Sequence, residues 1–223
     1  MMNDSVKTYG HIIWDWNGTL LDDVDIVIEA MNTLLKRRNL PLLGKEKYKK
    51  IFTFPVKDYY AQLGFNFSIE PFEKLAIEYM TELNSDKYQF KLYSGVEKIL
   101  ECVRRMGISQ SILSASQEQE LIDEVGKLNI GGYFKRISGL NNYYAISKVE
   151  RGEDLLRELA IKPDDALLIG DTIHDYEVAE ELGCGCLLIC NGHQCCQRLS
   201  LCNASIVEDI SDVIGFIKGE AIA

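Results

Sequence analysis

Short apolar runs alternate with amphipathic segments through most of this chain, and that alternation restricts it to a parallel β-sheet covered by helices. His11 to Trp16 (HIIWDW), Ser111 to Ser116 (SILSAS), Ala166 to Gly170 (ALLIG) and Gly185 to Cys190 (GCLLIC) read as strands. Between them, VEKILECVRRMG, QEQELIDEVGKLNI and KVERGEDLLRELA repeat apolar residues at three and four spacings, the period of a crossover helix.

From about Leu20 to Tyr93 the rhythm breaks. Four helical stretches (DVDIVIEAMNTLLKRRN, GKEKYKKIF, VKDYYAQLG and SIEPFEKLAIEYMTELNSDKY) follow one another without a convincing strand. This span reads as a helical insertion after the first strand, and the turn residues LYSG at 92–95 mark the return to the sheet. The expected organisation is an α/β core from residues 1–19 and 94–223 with a helical cap at 20–93. A chain of 223 residues, 47% of them hydrophobic, has enough apolar side chains for such a core and a smaller second unit.

Charge and cysteine content narrow the function. A net charge of -10 and a pI near 4.9 argue against a polyanion partner, because nucleic-acid affinity comes from clustered Lys and Arg. No apolar run approaches the roughly 20 residues that span a bilayer, and Met1 to Gly10 lacks a secretory pattern. The expected location is the cytoplasm, with no membrane partner. Six of the seven cysteines lie between Cys184 and Cys202. In a reducing compartment they read as thiols, and the CxxC spacing of zinc sites is absent, which argues against a soft-metal site with His193.

Asp15 closes an apolar strand, where open parallel sheets bind ligands, although an Asp before Asn17-Gly18 is also a common turn residue. ALLIGDTIHD repeats the arrangement, with Asp171 and Asp175 four apart as a helix begins. Asp175 can equally cap that helix. Three carboxylates facing one crevice would repel one another unless a cation joined them, and an all-oxygen donor set suits Mg²⁺. Ser114 and the N–H of Ala115 close the SILSAS strand where they can hold phosphate oxygens, while Ser116, with Gln119 three residues on, fits a helix cap. Ser147 and Glu150 form a capping box that puts Lys148 in a first helical turn. The helix dipole disfavours a cation there, so Lys148 either balances the anionic site or is solvated.

Together Asp15-Trp-Asn-Gly-Thr19, Ser114, Lys148 and Gly170-Asp-Thr-Ile-His-Asp175 resemble the four motifs of the haloacid-dehalogenase superfamily, in order and across nearly the whole chain. The likeness is greatest to its phosphoglycolate-phosphatase-like members. The resemblance implies a Rossmann-like core with an inserted cap, and Asp15 as the nucleophile that becomes an aspartyl-phosphate. It implies Mg²⁺ on Asp15, the carbonyl of Asn17 and Asp171, with Asp175 in support, and phosphate held by Thr19, Ser114, Ala115 and Lys148. The substrate would be a small phosphorylated metabolite, and the protein a monomer or homodimer.

One position departs from this pattern, since Asn17 stands where such phosphatases carry a second aspartate. An amide cannot exchange a proton with the leaving oxygen, so turnover is expected to be slow unless His174 or a cap residue substitutes. Phe54, Lys57 and Tyr60 are the cap residues expected to choose the substrate. The alternatives are a phosphonate-cleaving hydrolase that forms a Schiff base on Lys57, and a non-catalytic homologue that binds metal and phosphate. Dehalogenation ranks last, because it leaves Asp171 and Asp175 without a purpose.

Overall fold

The computed structural model describes residues 8–141 and 148–220. Six parallel strands form one sheet in the order β3-β2-β1-β4-β5-β6. They are β1 (His11–Trp14), β2 (Ser109–Gln117), β3 (Ile137–Leu140), β4 (Ala166–Gly170), β5 (Gly185–Ile189) and β6 (Ser205–Val207). The central strands are apolar throughout because both faces are covered. Ile12 of β1 enters the cluster under α5 (Val96–Arg105), α6 (Glu118–Lys127) and α10 (Val213–Lys218). Ile13, pointing the other way, packs under α7 (Val149–Glu158) and α8 (Ile173–Leu182).

The chain order reverses direction across the sheet between β1 and β4, which opens a crevice beyond their carboxyl ends. Asp15 follows β1 and Asp171 follows β4, so the two loops flank that crevice.

Four helices intervene between β1 and α5: α1 (Val24–Arg37), α2 (Lys45–Ile51), α3 (Val56–Gln62) and α4 (Phe72–Leu83). Val24, Val27, Met31, Leu34 and Leu35 recur on one face of α1 and pack with Phe72, Leu75 and Ala76 of α4 into a hydrophobic cluster separate from those on the sheet. The chain enters and leaves this unit side by side, with Leu21 bridged antiparallel to Leu92. Asp22 N donates to Lys91 O at 2.9 Å and Tyr93 N to Leu20 O at 3.0 Å. Among the described residues no helix is long and apolar enough to cross a membrane.

The structure corrects several local expectations. The first strand stops at Trp14, and β3, β6, α9 (Cys196–Leu199) and α10 add to the elements expected. Strand β2 runs on to Gln117, whose side chain accepts from Glu120 N, so Gln117 caps α6 and Ser116 does not. Lys148 is the residue before α7 and lies outside its first turn; Ser147, the expected capping partner, lies outside the described residues. Cys190 and Cys196 form a disulfide where six thiols were expected.

Candidate active site

The end of β1 delivers the buried Asp15 to a half-open cavity of about 170 Å³ between the sheet edge and the helical unit. Asp171 and Asp175 arrive from the β4–α8 turn, and their carboxylates lie with that of Asp15 within 4.8 Å of one another. Thr172 is the N-cap of α8, with its hydroxyl accepting from Asp175 N while Asp175 accepts from the Thr172 N–H. That capping box fixes the Asp175 side chain, and both of its oxygens are bonded: Oδ2 to Thr172, Oδ1 to Lys148. Asp175 is therefore both the cap of α8 and a member of the cluster, two readings that the sequence presents as alternatives.

Lys148 is fully buried and uses all three donors, to Asp15 Oδ1 at 2.5 Å, Asp175 Oδ1 at 2.6 Å and the Leu113 carbonyl at 3.3 Å. It is not a solvated surface residue. The Thr19 hydroxyl lies 3.2 Å from Asp15 Oδ2 and 3.1 Å from Asp171 Oδ1, so these two oxygens face a common point. Ser114 and Ala115 line the cavity, with Ser114 Oγ accepting from Ser116 N at 3.1 Å.

Asn17 is clamped on both sides. Its amide donates to Asp23 Oδ2 at 2.8 Å, and its Oδ1 accepts from Ser116 Oγ at 2.7 Å. Asp23 is wholly buried and takes a second bond from Gly18 N at 2.9 Å. Gly18 has φ +74, and a Cβ there would strike Asp171 and His193, so the turn needs glycine twice over.

His193 joins the site from the β5–α9 loop. Its N–H donates to Asp171, its Nε2 lies 3.3 Å from Asp23, and its Nδ1 meets the Tyr48 hydroxyl at 2.7 Å. These partners, none of them a thiol, account for the ring. Neither Asp23 nor Tyr48 stands out in the sequence, and His193 does so only through its neighbouring cysteines. The available signal is its place just after β5, the strand beside β4, where a loop reaches the same crevice.

Burial governs the electrostatics. It pushes the Asp15 carboxyl up to about 8, with the neighbouring Asp175 and Asp171 adding to the rise and Lys148 opposing it. Asp171 rises to about 6 for the same first reason, although His193 opposes it. For Asp175, burial also acts upward, but the Lys148 ammonium outweighs it and the carboxyl is lowered. Burial pulls the His193 imidazole down, yet Asp23 beside it prevails and carries it to about 9. With all groups ionised, four buried carboxylates face two cations, Lys148 and His193. The surplus negative charge and the convergent oxygens of Asp15 and Asp171 fit a hard divalent cation.

The other expected residues are dispersed. Phe54 lines the cavity and stacks on His174, ring centroids 4.7 Å apart. Lys57 Nζ sits 5.5 and 5.9 Å from the ring centroids of Phe67 and Phe72, away from the cavity lining, and Tyr60 is buried in the core of the helical unit. His174 lines the cavity, its Nε2 buried without a hydrogen-bond partner.

Comparison with known proteins agrees with this architecture. The chain is 20% identical over 214 residues to a phosphoglycolate phosphatase of Pseudomonas savastanoi pv. phaseolicola, covering 91% of this chain and 78% of that protein. It is 21% identical over 212 residues to the phosphoglycolate phosphatase of Rhodobacter capsulatus, covering 93% and 96%. The fold superposes on a haloacid dehalogenase-like family hydrolase from Streptococcus pneumoniae with a TM-score of 0.78 at 21% identity, across 93% of this chain and 98% of that one. A family model for haloacid dehalogenase-like hydrolases matches residues 12–189, from the middle of β1 to the end of β5 and so through every group of the acidic cluster. The chain belongs to the haloacid dehalogenase-like hydrolases.

Proposed function

We propose that the protein is a Mg²⁺-dependent phosphatase of small phosphomonoesters, acting through Asp15. The observation that carries this reading is the convergence of the buried Asp15, Asp171, Asp175 and Lys148 on one cavity at the switch point of the sheet. The phosphatase names of the two relatives support it.

An Asp15 carboxylate oxygen attacks phosphorus, the phosphorus–oxygen bond to the organic group breaks, and the departing alkoxide takes a proton from water. Water then attacks the aspartyl-phosphate, releasing phosphate and restoring the carboxylate. Lys148 holds the Asp15 side chain in position and offsets the negative charge that builds up on the phosphoryl oxygens. Ser114 Oγ and the Ala115 N–H, within the carboxyl-terminal half of β2, orient those oxygens. Asp15, Asp171 and the Asn17 carbonyl would hold Mg²⁺, which when bound supplies further charge neutralisation at the phosphoryl group. The helices α1–α4 act as the cap that closes over the substrate and keeps bulk water out. Asn17 is a positioning residue here, with no proton to give, so the protein is a slow phosphatase.

Phosphonate cleavage through a Schiff base needs an unengaged lysine at the cavity, but Lys148 is held by Asp15, Asp175 and Leu113, and Lys57 packs against Phe67 and Phe72 instead. The deciding experiment measures phosphate release with and without Mg²⁺ for the native protein beside Asp15→Asn. Magnesium-dependent release that Asp15→Asn abolishes is the expected result. Release undiminished in Asp15→Asn would remove Asp15 from the reaction.

A further inference from the structure

We propose that the substrate is a phosphomonoester whose organic group is apolar and uncharged, no larger than about a single aromatic ring, and not a phosphorylated carboxylate such as phosphoglycolate. The inference rests on the phosphatase reading and concerns the far wall of the same cavity. Apart from Asp23, whose oxygens are held by Asn17, Gly18 and His193, every residue that α1–α4 and their links contribute to that wall is apolar or aromatic. Val27, Val56, Met80 and Leu83 supply aliphatic surface, and Phe52 and Phe54 supply rings. Two tyrosines complete the wall: the Tyr48 hydroxyl is taken by His193, and Tyr79 of α4 adds a further ring with one hydroxyl.

A substrate carboxylate would need a cation on this wall. Among the described residues Lys148 is the only Lys or Arg lining the cavity, and its three donors are spent on Asp15, Asp175 and Leu113. His193 has both ring nitrogens engaged, with Tyr48 and Asp23, and the His174 ring is stacked on Phe54 with its Nε2 buried beneath the cavity surface. Lys49 donates to the Asn191 carbonyl at 3.0 Å, and Lys57 lies over Phe67 and Phe72. The undescribed residues 142–147, NYYAIS, carry no charged side chain. A carboxylate pressed against this wall would lose its hydration with no free cation to replace it. An apolar group would gain by burial, and in a cavity of about 170 Å³ that must also take the phosphoryl group it can be no larger than about one aromatic ring, since benzene alone occupies an engineered apolar cavity of about 150 Å³.

Benzyl phosphate and phosphoglycolate both leave as alkoxides, which makes them a fair pair. The native protein with Mg²⁺ is expected to show a kcat/KM at least tenfold higher for benzyl phosphate, and Met80→Lys to narrow or reverse that ratio. A preference for benzyl phosphate of less than tenfold, or any preference for phosphoglycolate, would overturn the inference while leaving the phosphatase intact. If neither ester releases phosphate, the phosphatase reading fails, and calorimetric titration with the inert benzylphosphonate and 3-phosphonopropionate decides the wall's selectivity separately. Tighter benzylphosphonate binding upholds it; equal or weaker binding overturns it.

Discussion

Asn17 sits 2.8 Å from Asp23 through its amide, so Asn17→Asp would bring two carboxyls together in a buried turn. They would have to share a proton, which is the state a leaving-group acid requires. The variant is expected to release phosphate about 10²- to 10⁴-fold faster and to lose about 1–3 kcal/mol of stability with the amide bond gone. Phosphate assays beside urea denaturation test both, and an unchanged rate would show that proton transfer does not limit the native protein. Lys148→Met strands Asp15 and Asp175 as buried charges and should cost about 3–5 kcal/mol by urea denaturation. A loss below about 1 kcal/mol would mean that the carboxylates are neutral without it. Asp15, Asp171, Asp175 and Lys148 are legible in the sequence because each adjoins a strand end or a helix start with a local pattern. Asp23, Tyr48 and His193 are not, since their meaning arises from contact between distant segments. Tyr48 and His193 are 145 positions apart.

At the scale of elements, β1 carries a pH dependence of its own. Burial lowers the His11 imidazole to about 4, while its Nδ1 contacts the Ser109 hydroxyl at 2.7 Å. The unfolded chain therefore binds a proton on His11 that the folded one refuses, and stability rises with pH across this window. Stability is complete above about 6.5 and is lost as pH falls towards about 4, by on the order of 3 kcal/mol. His11→Asn should flatten the curve of unfolding free energy against pH between those limits, and an unaltered slope would assign the effect to the carboxylates. The long periodic helices and the four apolar strands announce themselves through spacing. Strands β3 (ISGL) and β6 (SIV) are too short to show a period, and what defines them is pairing with β2 and β5. The cap of α6 falls on Gln117 because β2 continues past Ser114, and a strand's length is set by its neighbours in the sheet more than by its own residues.

At the scale of the molecule, two units meet over the acidic cluster, and α2 is the seam. Tyr48 bonds His193, Lys49 bonds the Asn191 carbonyl, and the Phe52 carbonyl accepts from Gln194 at 2.9 Å. The combined variant Tyr48→Phe, Lys49→Ala should loosen this seam and speed hydrogen exchange of the 190–196 amides, with those of β1 and β4 unaffected. Uniform protection across the loop would mean that the rings around Phe52 hold the units together unaided. The helical insertion was legible as a break in rhythm; its contacts with the sheet domain, which link residues more than 100 positions apart, were not. The antiparallel bridge of Leu21 and Leu92 has a consequence for descent. Paired antiparallel residues stand about 5 Å apart, so any insert whose ends meet at that spacing can be exchanged there without disturbing the register of β1 or the start of α5. Lineages can therefore trade one choice of organic group for another while inheriting the phosphoryl chemistry unchanged.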